Sequence, residues 1–253
     1  MVIILSPSKS SESKSLKAEP CTSPVFIEET SELIHILKCK KREEIKSLMS
    51  LSDKLTDHTC ALIDSLSVDY STENCRSAIY NFTGEVYSGL NAHSFSTSEM
   101  AYAQKYLLIL SGLYGMLRPL DLMKTYRLEM GLKFKTTKGT NLYQFWGDKI
   151  TQGINGSLQS TDSNYLLNLA SDEYFKSVKI SQVDKVIINA EFFEMKDGKR
   201  TFISFNAKRA RGLMAAYVIK NRITHPDDLK YFDMEGYCYQ PDLSDDRSFV
   251  FVK

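Results

Sequence analysis

Arg118 and Arg127 fall in a stretch, residues 110–131, that also carries Gly112, Gly115, Pro119 and Gly131. Glycine lets a backbone approach a ligand closely, and Pro119 biases Arg118 away from helical geometry, so the two guanidinium groups read as parts of a shaped anion site. The spacing matches neither a dinucleotide fingerprint nor a P-loop, and no nucleotide cofactor is expected. The competing reading is a turn-rich core loop in which Arg118 and Arg127 pair with Asp121 and Glu129. A second cluster, Lys208, Arg209 and Arg211, opens an expected helix over residues 208–222. Cations at a helix N-terminus oppose its dipole, and either phosphate or acidic neighbours from elsewhere in the fold would offset that. Lys208 and Arg211 are three apart and share a face. Lys9, in a loop after an apolar run, and Lys176, in the strand-to-helix segment 168–176 with Ser171 as its cap, are further candidates.

Arrangements that would define a catalytic centre are absent: the chain has no GxSxG elbow and no HExxH, and its four histidines occupy unrelated contexts. Glu129, Asp148 and Asp172 offer carboxylates for acid/base work, but nothing in the sequence brings two of them together, and no catalytic residue is assigned. Tyr114, Tyr126, Tyr174 and Trp146 suit either base stacking or a core. The five cysteines are scattered without a CxxC pair, which fits reduced thiols and neither a disulfide framework nor a metal site. Net charge is +1, so a polyanion would have to be held locally. Two segments are basic: 111–146, with 6 cations against 2 acids, and 176–222, with 11 against 4.

The elements that must position these residues follow from periodicity. Val2–Leu5, 107–110, 165–169 and 248–252 are apolar runs of strand length, and 186–194 with 201–205 form a hairpin around Asp197-Gly198. Helical spacing predicts two or three helices over 28–66, continued by 76–82, and others over 99–106, 141–158, 172–178 and 208–222, with one more turn over 228–232. Residues 10–24 read as a surface loop, and 84–90 as an interruption. No run reaches membrane-spanning length and the first residues lack a signal peptide's pattern, so a cytoplasmic protein without membrane association is expected. The fold class is mixed α/β: a single compact domain over 1–253 with a central mixed sheet, a β-hairpin, and a helical lobe over 28–80.

In wording, several segments together resemble the YaaA family of bacterial peroxide stress proteins: Ser6 to Ser10, Ser52 to Leu55, Gly84 to Leu90, Leu110 to Gly131, Tyr143 to Asp148, Asn168 to Lys176 and Lys208 to Met214. The similarity runs almost end to end. It implies a fold particular to that family, a role in limiting intracellular iron and oxidative damage, and binding of DNA, duplex or structurally irregular, through a positively charged cleft. It also implies a helix-hairpin-helix element, placed here around Lys54 in 45–66, although that turn has no glycine. Ser8 and Ser10 stand where the family more commonly has Ala and Thr.

Combined, these readings predict one cationic cleft built from Lys9, Arg118, Arg127, Lys176, Lys208, Arg209 and Arg211, with Lys54 contributing from the helical lobe, and DNA phosphates as the ligand. The alternative is an enzyme that uses the same pocket for a small phosphorylated or carboxylated substrate. In it Lys9, Arg118 and Arg127 hold the anion, and Glu129 or Asp172 acts as acid/base.

Overall fold

The computed structural model describes residues 1–11, 21–71 and 73–253; the part of the expected loop at 12–20 lies outside the described residues. The chain opens with β1 (Val2–Leu5), an apolar run buried on both faces, as a central parallel strand must be. A helical lobe follows: α1 (Ile27–Lys38), α2 (Arg42–Met49) and α3 (Asp53–Ser65), with Ser52 capping α3 through the Leu55 N–H. After β2 (Arg76–Ser77) come α4 (Ala78–Asn81) and α5 (Glu85–Leu90), then α6 (Thr97–Tyr106) feeding directly into β3 (Leu107–Ser111), β4 (Gly115–Leu117) and β5 (Leu122–Met123). The second half runs α7 (Leu142–Trp146), α8 (Lys149–Ser160), β6 (Tyr165–Leu169), α9 (Asp172–Phe175), β7 (Val186–Lys196), β8 (Lys199–Thr201), α10 (Ser204–Asn221), β9 (Cys238–Tyr239) and β10 (Ser248–Val252).

Among the described residues eight strands form one sheet in the order β4-β3-β1-β6-β7-β10-β9, with β8 paired to β7. Its centre, β3-β1-β6-β7-β10, is parallel throughout, and antiparallel β4 and β9 close the two edges. A small antiparallel pair, β2 with β5, lies apart. The expected mixed α/β architecture and hairpin are present. Asp197 and Gly198 at the hairpin tip both have positive φ, the turn geometry that matches strand twist.

Several boundaries differ from the sequence reading. Residues 85–90 are a helix, not an interruption. Gly84 starts it at φ +96°, and Gly89 serves a packing contact. The helix expected over 141–158 is two, broken at Gly147 with φ +51°. Residues 76–82 begin with a strand. The hairpin's second strand stops at Thr201, and α10 starts at Ser204, so Lys208, Arg209 and Arg211 sit in its second turn, not at its N-terminus. The dipole penalty reasoned for them therefore lapses, because that effect fades within the first turn.

α10 is buried on most of its circumference, through Ala207, Ala210, Leu213, Met214, Val218 and Ile219. It crosses α5 at backbone contact. A Cβ on Gly212 would overlap the carbonyl oxygen of Val86, and one on Gly89 would overlap that of Arg209. Gly212→Ala is therefore expected to cost more than about 3 kcal/mol, beyond ordinary overpacking. Gly156→Ala, in α8 with nothing near its Cβ position, should gain about 0.5–1 kcal/mol. Urea denaturation of both variants checks the contrast.

Candidate functional site

β1 and β6 are parallel neighbours. The chain leaves β1 towards β3 on one side and leaves β6 towards β7 on the other, so their carboxyl ends frame the crevice where open α/β sheets bind ligands. A cleft of about 900 Å³ occupies that place. Its floor is the loop after β1. Ser6 Oγ accepts the Ser171 N–H at 2.8 Å, Tyr87 Oη donates to the Ser6 carbonyl at 3.0 Å, and Ser8 Oγ accepts the Ser10 N–H at 3.1 Å. These bonds tie the loop to the start of α9 and to α5. The remaining walls are Gly84 to Val86, Tyr126 to Glu129, Ser171 to Tyr174, and the segment from Phe202 to Arg211.

The glycines of residues 110–131 shape this cleft indirectly. A Cβ on Gly112 would overlap the Leu128 carbonyl, and one on Gly115 would strike the Trp146 ring. They let protein segments meet, and Gly112 allows residues 126–129 to lie against the end of β3. Trp146 is core, with its Nε1 donating to the Gly112 carbonyl at 3.0 Å.

Four cations, Lys9, Arg127, Lys208 and Arg211, and four carboxylates, Glu85, Glu129, Asp172 and Glu173, line the cleft. Its formal charge balances. Glu129 Oε1 lies 3.3 Å from Lys9 Nζ and 3.3 Å from an Arg127 terminal nitrogen; the Glu129 side chain is 13% exposed and that of Lys9 68%. Glu129 Oε2 and the Nε groups of Arg127 and Arg211 are buried without a hydrogen-bond partner. Each such group costs about 1–3 kcal/mol until it is paired. Burial pushes the Arg211 guanidinium below its ordinary value, while Asp172 and Glu191 pull it back up. Burial also raises the Tyr126 and Tyr174 phenols, so both stay protonated; the Tyr126 hydroxyl pairs with Ser111 Oγ at 2.7 Å. Guanidinium groups facing a crevice can fork onto phosphate or carboxylate, and the carboxylates can accept donors from the same ligand.

The cleft thus gathers Lys9, Arg127, Lys208 and Arg211 from the predicted set. The other four do not line it. Arg118 is held by the fully buried Asp121 at 2.9 Å and by the Ser23 carbonyl at 3.0 Å, as the turn-loop reading had it. Arg209 forks onto Glu235 at 2.6 and 2.8 Å. Lys176 Nζ lies 5.3 Å from the centre of the Tyr143 ring. Lys54 is exposed on α3, beside a turn whose Asp53 and Asp57 neutralise Arg42 and Lys46. Arg209 parts from its neighbours because it follows Lys208 by one residue, roughly 100° around the helix. Phe202, Phe205 and Glu85 were not singled out in the sequence, although the two phenylalanines stand between basic pairs at 199–200 and 208–209, a pattern legible there. Among the described residues no group of three or more His, Cys, Asp or Glu is placed to hold a metal, and no helix is long and apolar enough to cross a membrane.

Fold and cleft define an open, largely parallel α/β protein with a mixed-charge crevice at its topological switch point. The family model of "Peroxide stress protein YaaA" matches residues 1–243. The chain is 45% identical to a UPF0246 protein of Saccharophagus degradans and 42% identical to one of Hahella chejuensis, each covering 100% of this chain and 99% of the relative. A UPF0246 protein of Colwellia psychrerythraea is also 45% identical, over the same shares. The chain belongs to the YaaA family of peroxide stress proteins.

Glu129→Gln removes the carboxylate that Lys9 and Arg127 share. Isothermal titration with inorganic pyrophosphate is expected to show about 3- to 10-fold tighter binding for this variant, in keeping with an ion pair worth about 1 kcal/mol.

Proposed function

We propose that the chain serves the peroxide stress response of its family by binding nucleic acid in this cleft, with one phosphate-bearing nucleotide unit seated at a time. The observation that carries the reading is the convergence of Lys9, Arg127, Lys208 and Arg211, from three separate segments of the chain, on one crevice at the strand ends. Phosphate oxygens suit guanidinium and ammonium donors well. The volume is that of a small-ligand site and suits a single nucleotide, which favours unpaired or structurally irregular DNA over a smooth duplex. Balanced lining charge argues the same way, since a duplex groove needs an excess of cations. Lower free iron and reduced oxidative damage belong to this proposal as downstream effects in the cytoplasm. A deletion strain with unaltered peroxide sensitivity would count against that physiological part.

A second reading, favoured by Glu129, a half-buried carboxylate in the cleft whose Oε1 bridges two cations, is an enzyme acting on a small phosphorylated or carboxylated substrate with Glu129 as acid/base. The two readings part at Glu129→Gln: the first expects tighter oligonucleotide binding, the second loss of turnover with ligand binding retained.

Binding of a labelled, bulge-containing oligonucleotide should weaken by about 10-fold or more in Arg127→Gln and in Arg211→Gln, since hydrogen bonds to charged groups contribute about 1.5–3 kcal/mol. Arg209→Gln, outside the cleft, should stay within about twofold. For a strand of about three nucleotides, too short to reach beyond the four cations of the cleft, the logarithm of affinity should fall against the logarithm of salt with a slope no steeper than about −3. Equal affinity of all three variants to wild type would remove the cleft from the model.

A further inference from the structure

β7 is longer than the sheet that holds it. β10 accompanies it as far as Phe193, the Met195 N–H reaches the Lys253 carbonyl at 2.7 Å, and beyond that only β8 remains beside it. The result is a two-stranded ribbon whose residues 195–200 are all exposed. From there the chain runs through Phe202 and Phe205, 55% and 60% exposed, into the first turns of α10. Both phenylalanines and Lys208 line the cleft, so the chain leads from the ribbon into the cleft wall.

Its chemistry is specific. Residues 195–208 hold four cations, Lys196, Lys199, Arg200 and Lys208, against Asp197 alone, a local excess of +3 in a chain of net +1. Among the described residues Lys196, Lys199 and Lys208 have no carboxylate within ion-pair distance, whereas Arg209, one residue on, is neutralised by Glu235. Arg200 lies over the Phe193 ring at 4.6 Å, and Phe193 meets Phe202 edge to face at 6.2 Å, which fixes the aromatic platform. Two exposed rings flanked on both sides by cations, on a ribbon that leads into a helix, suit a single nucleic-acid strand, whose bases stack on the rings while its phosphates meet the cations.

We propose that the β7–β8 ribbon and the start of α10 are the landing track for single-stranded nucleic acid next to the cleft, with Phe202 and Phe205 as the stacking platform and Lys196, Lys199, Arg200 and Lys208 as phosphate contacts. This rests on the nucleic-acid reading of the cleft and extends it to the flanking strand. The full-length protein is titrated into a labelled pyrimidine strand of about 12 nucleotides and, separately, one of about three, read by fluorescence anisotropy. Paired substitutions Lys196→Glu with Lys199→Glu, and Phe202→Ala with Phe205→Ala, are expected to weaken the longer strand about 10- to 100-fold, given the stacking contribution of each base. The lysine pair lies outside the cleft and should leave the shorter strand unchanged. All four positions are largely exposed, and thermal melting should be unaltered. If wild type binds the longer strand and both paired variants bind it equally well, the track is refuted and the cleft reading stands. If wild type binds neither strand, the cleft reading fails and takes the track with it. Should the variants instead lose flotation with phosphatidylserine vesicles while keeping the strand, the surface is a lipid contact and the track is refuted.

Discussion

The contact on which the rest of the molecule depends is the crossing of α5 and α10, where two glycines bring helix backbones together without intervening side chains. Helices of ordinary composition pack about 8–10 Å apart through interlocking side chains. Here Gly89 and Gly212 remove that spacer, and Tyr87 of the same α5 bonds to the loop after β1. One close approach thereby sets the separation between the strand-end loop carrying Lys9 and the helix carrying Lys208 and Arg211. The width of the cleft is decided by atoms that never face it.

Within that frame the electrostatics are finely divided. A crevice with four cations and four carboxylates has little net pull at long range, so steering by a broad field is weak. Short-range geometry has to do the selecting. Burial makes the unpaired guanidinium and carboxylate atoms along the cleft walls expensive.

Much of the scaffold was legible in the sequence because apolar runs and periodicity report burial directly. β1, β3, β6 and β10 are apolar at nearly every position, as central strands are, and the Asp197-Gly198 turn declares its hairpin. Glycine misled where its role was tertiary: Gly84 and Gly89 looked like breaks, yet one opens α5 and the other lets α10 touch it. The cleft was half legible. Three-residue spacing tied Lys208 to Arg211, and apolar strand ends pointed to Lys9. No local signal could show that Glu235 would come back to claim Arg209 from 26 positions away, or that Glu129 would bridge Lys9 and Arg127. Arg118 shows the opposite case, since the acid that captures it lies three residues on and was visible from the start.

The placement of β1 has a consequence for how the chain reaches this state. Ile3 is paired on one side with Leu107 and on the other with Leu167, so β1 stays without these neighbours until more than a hundred further residues exist. Such long loops must close before the pairings reward them, which slows folding. During that wait a short, wholly apolar segment is uncovered on the nascent chain. The strand at the centre of the finished sheet is therefore also an uncovered apolar segment, open to misassociation, while the chain is being made.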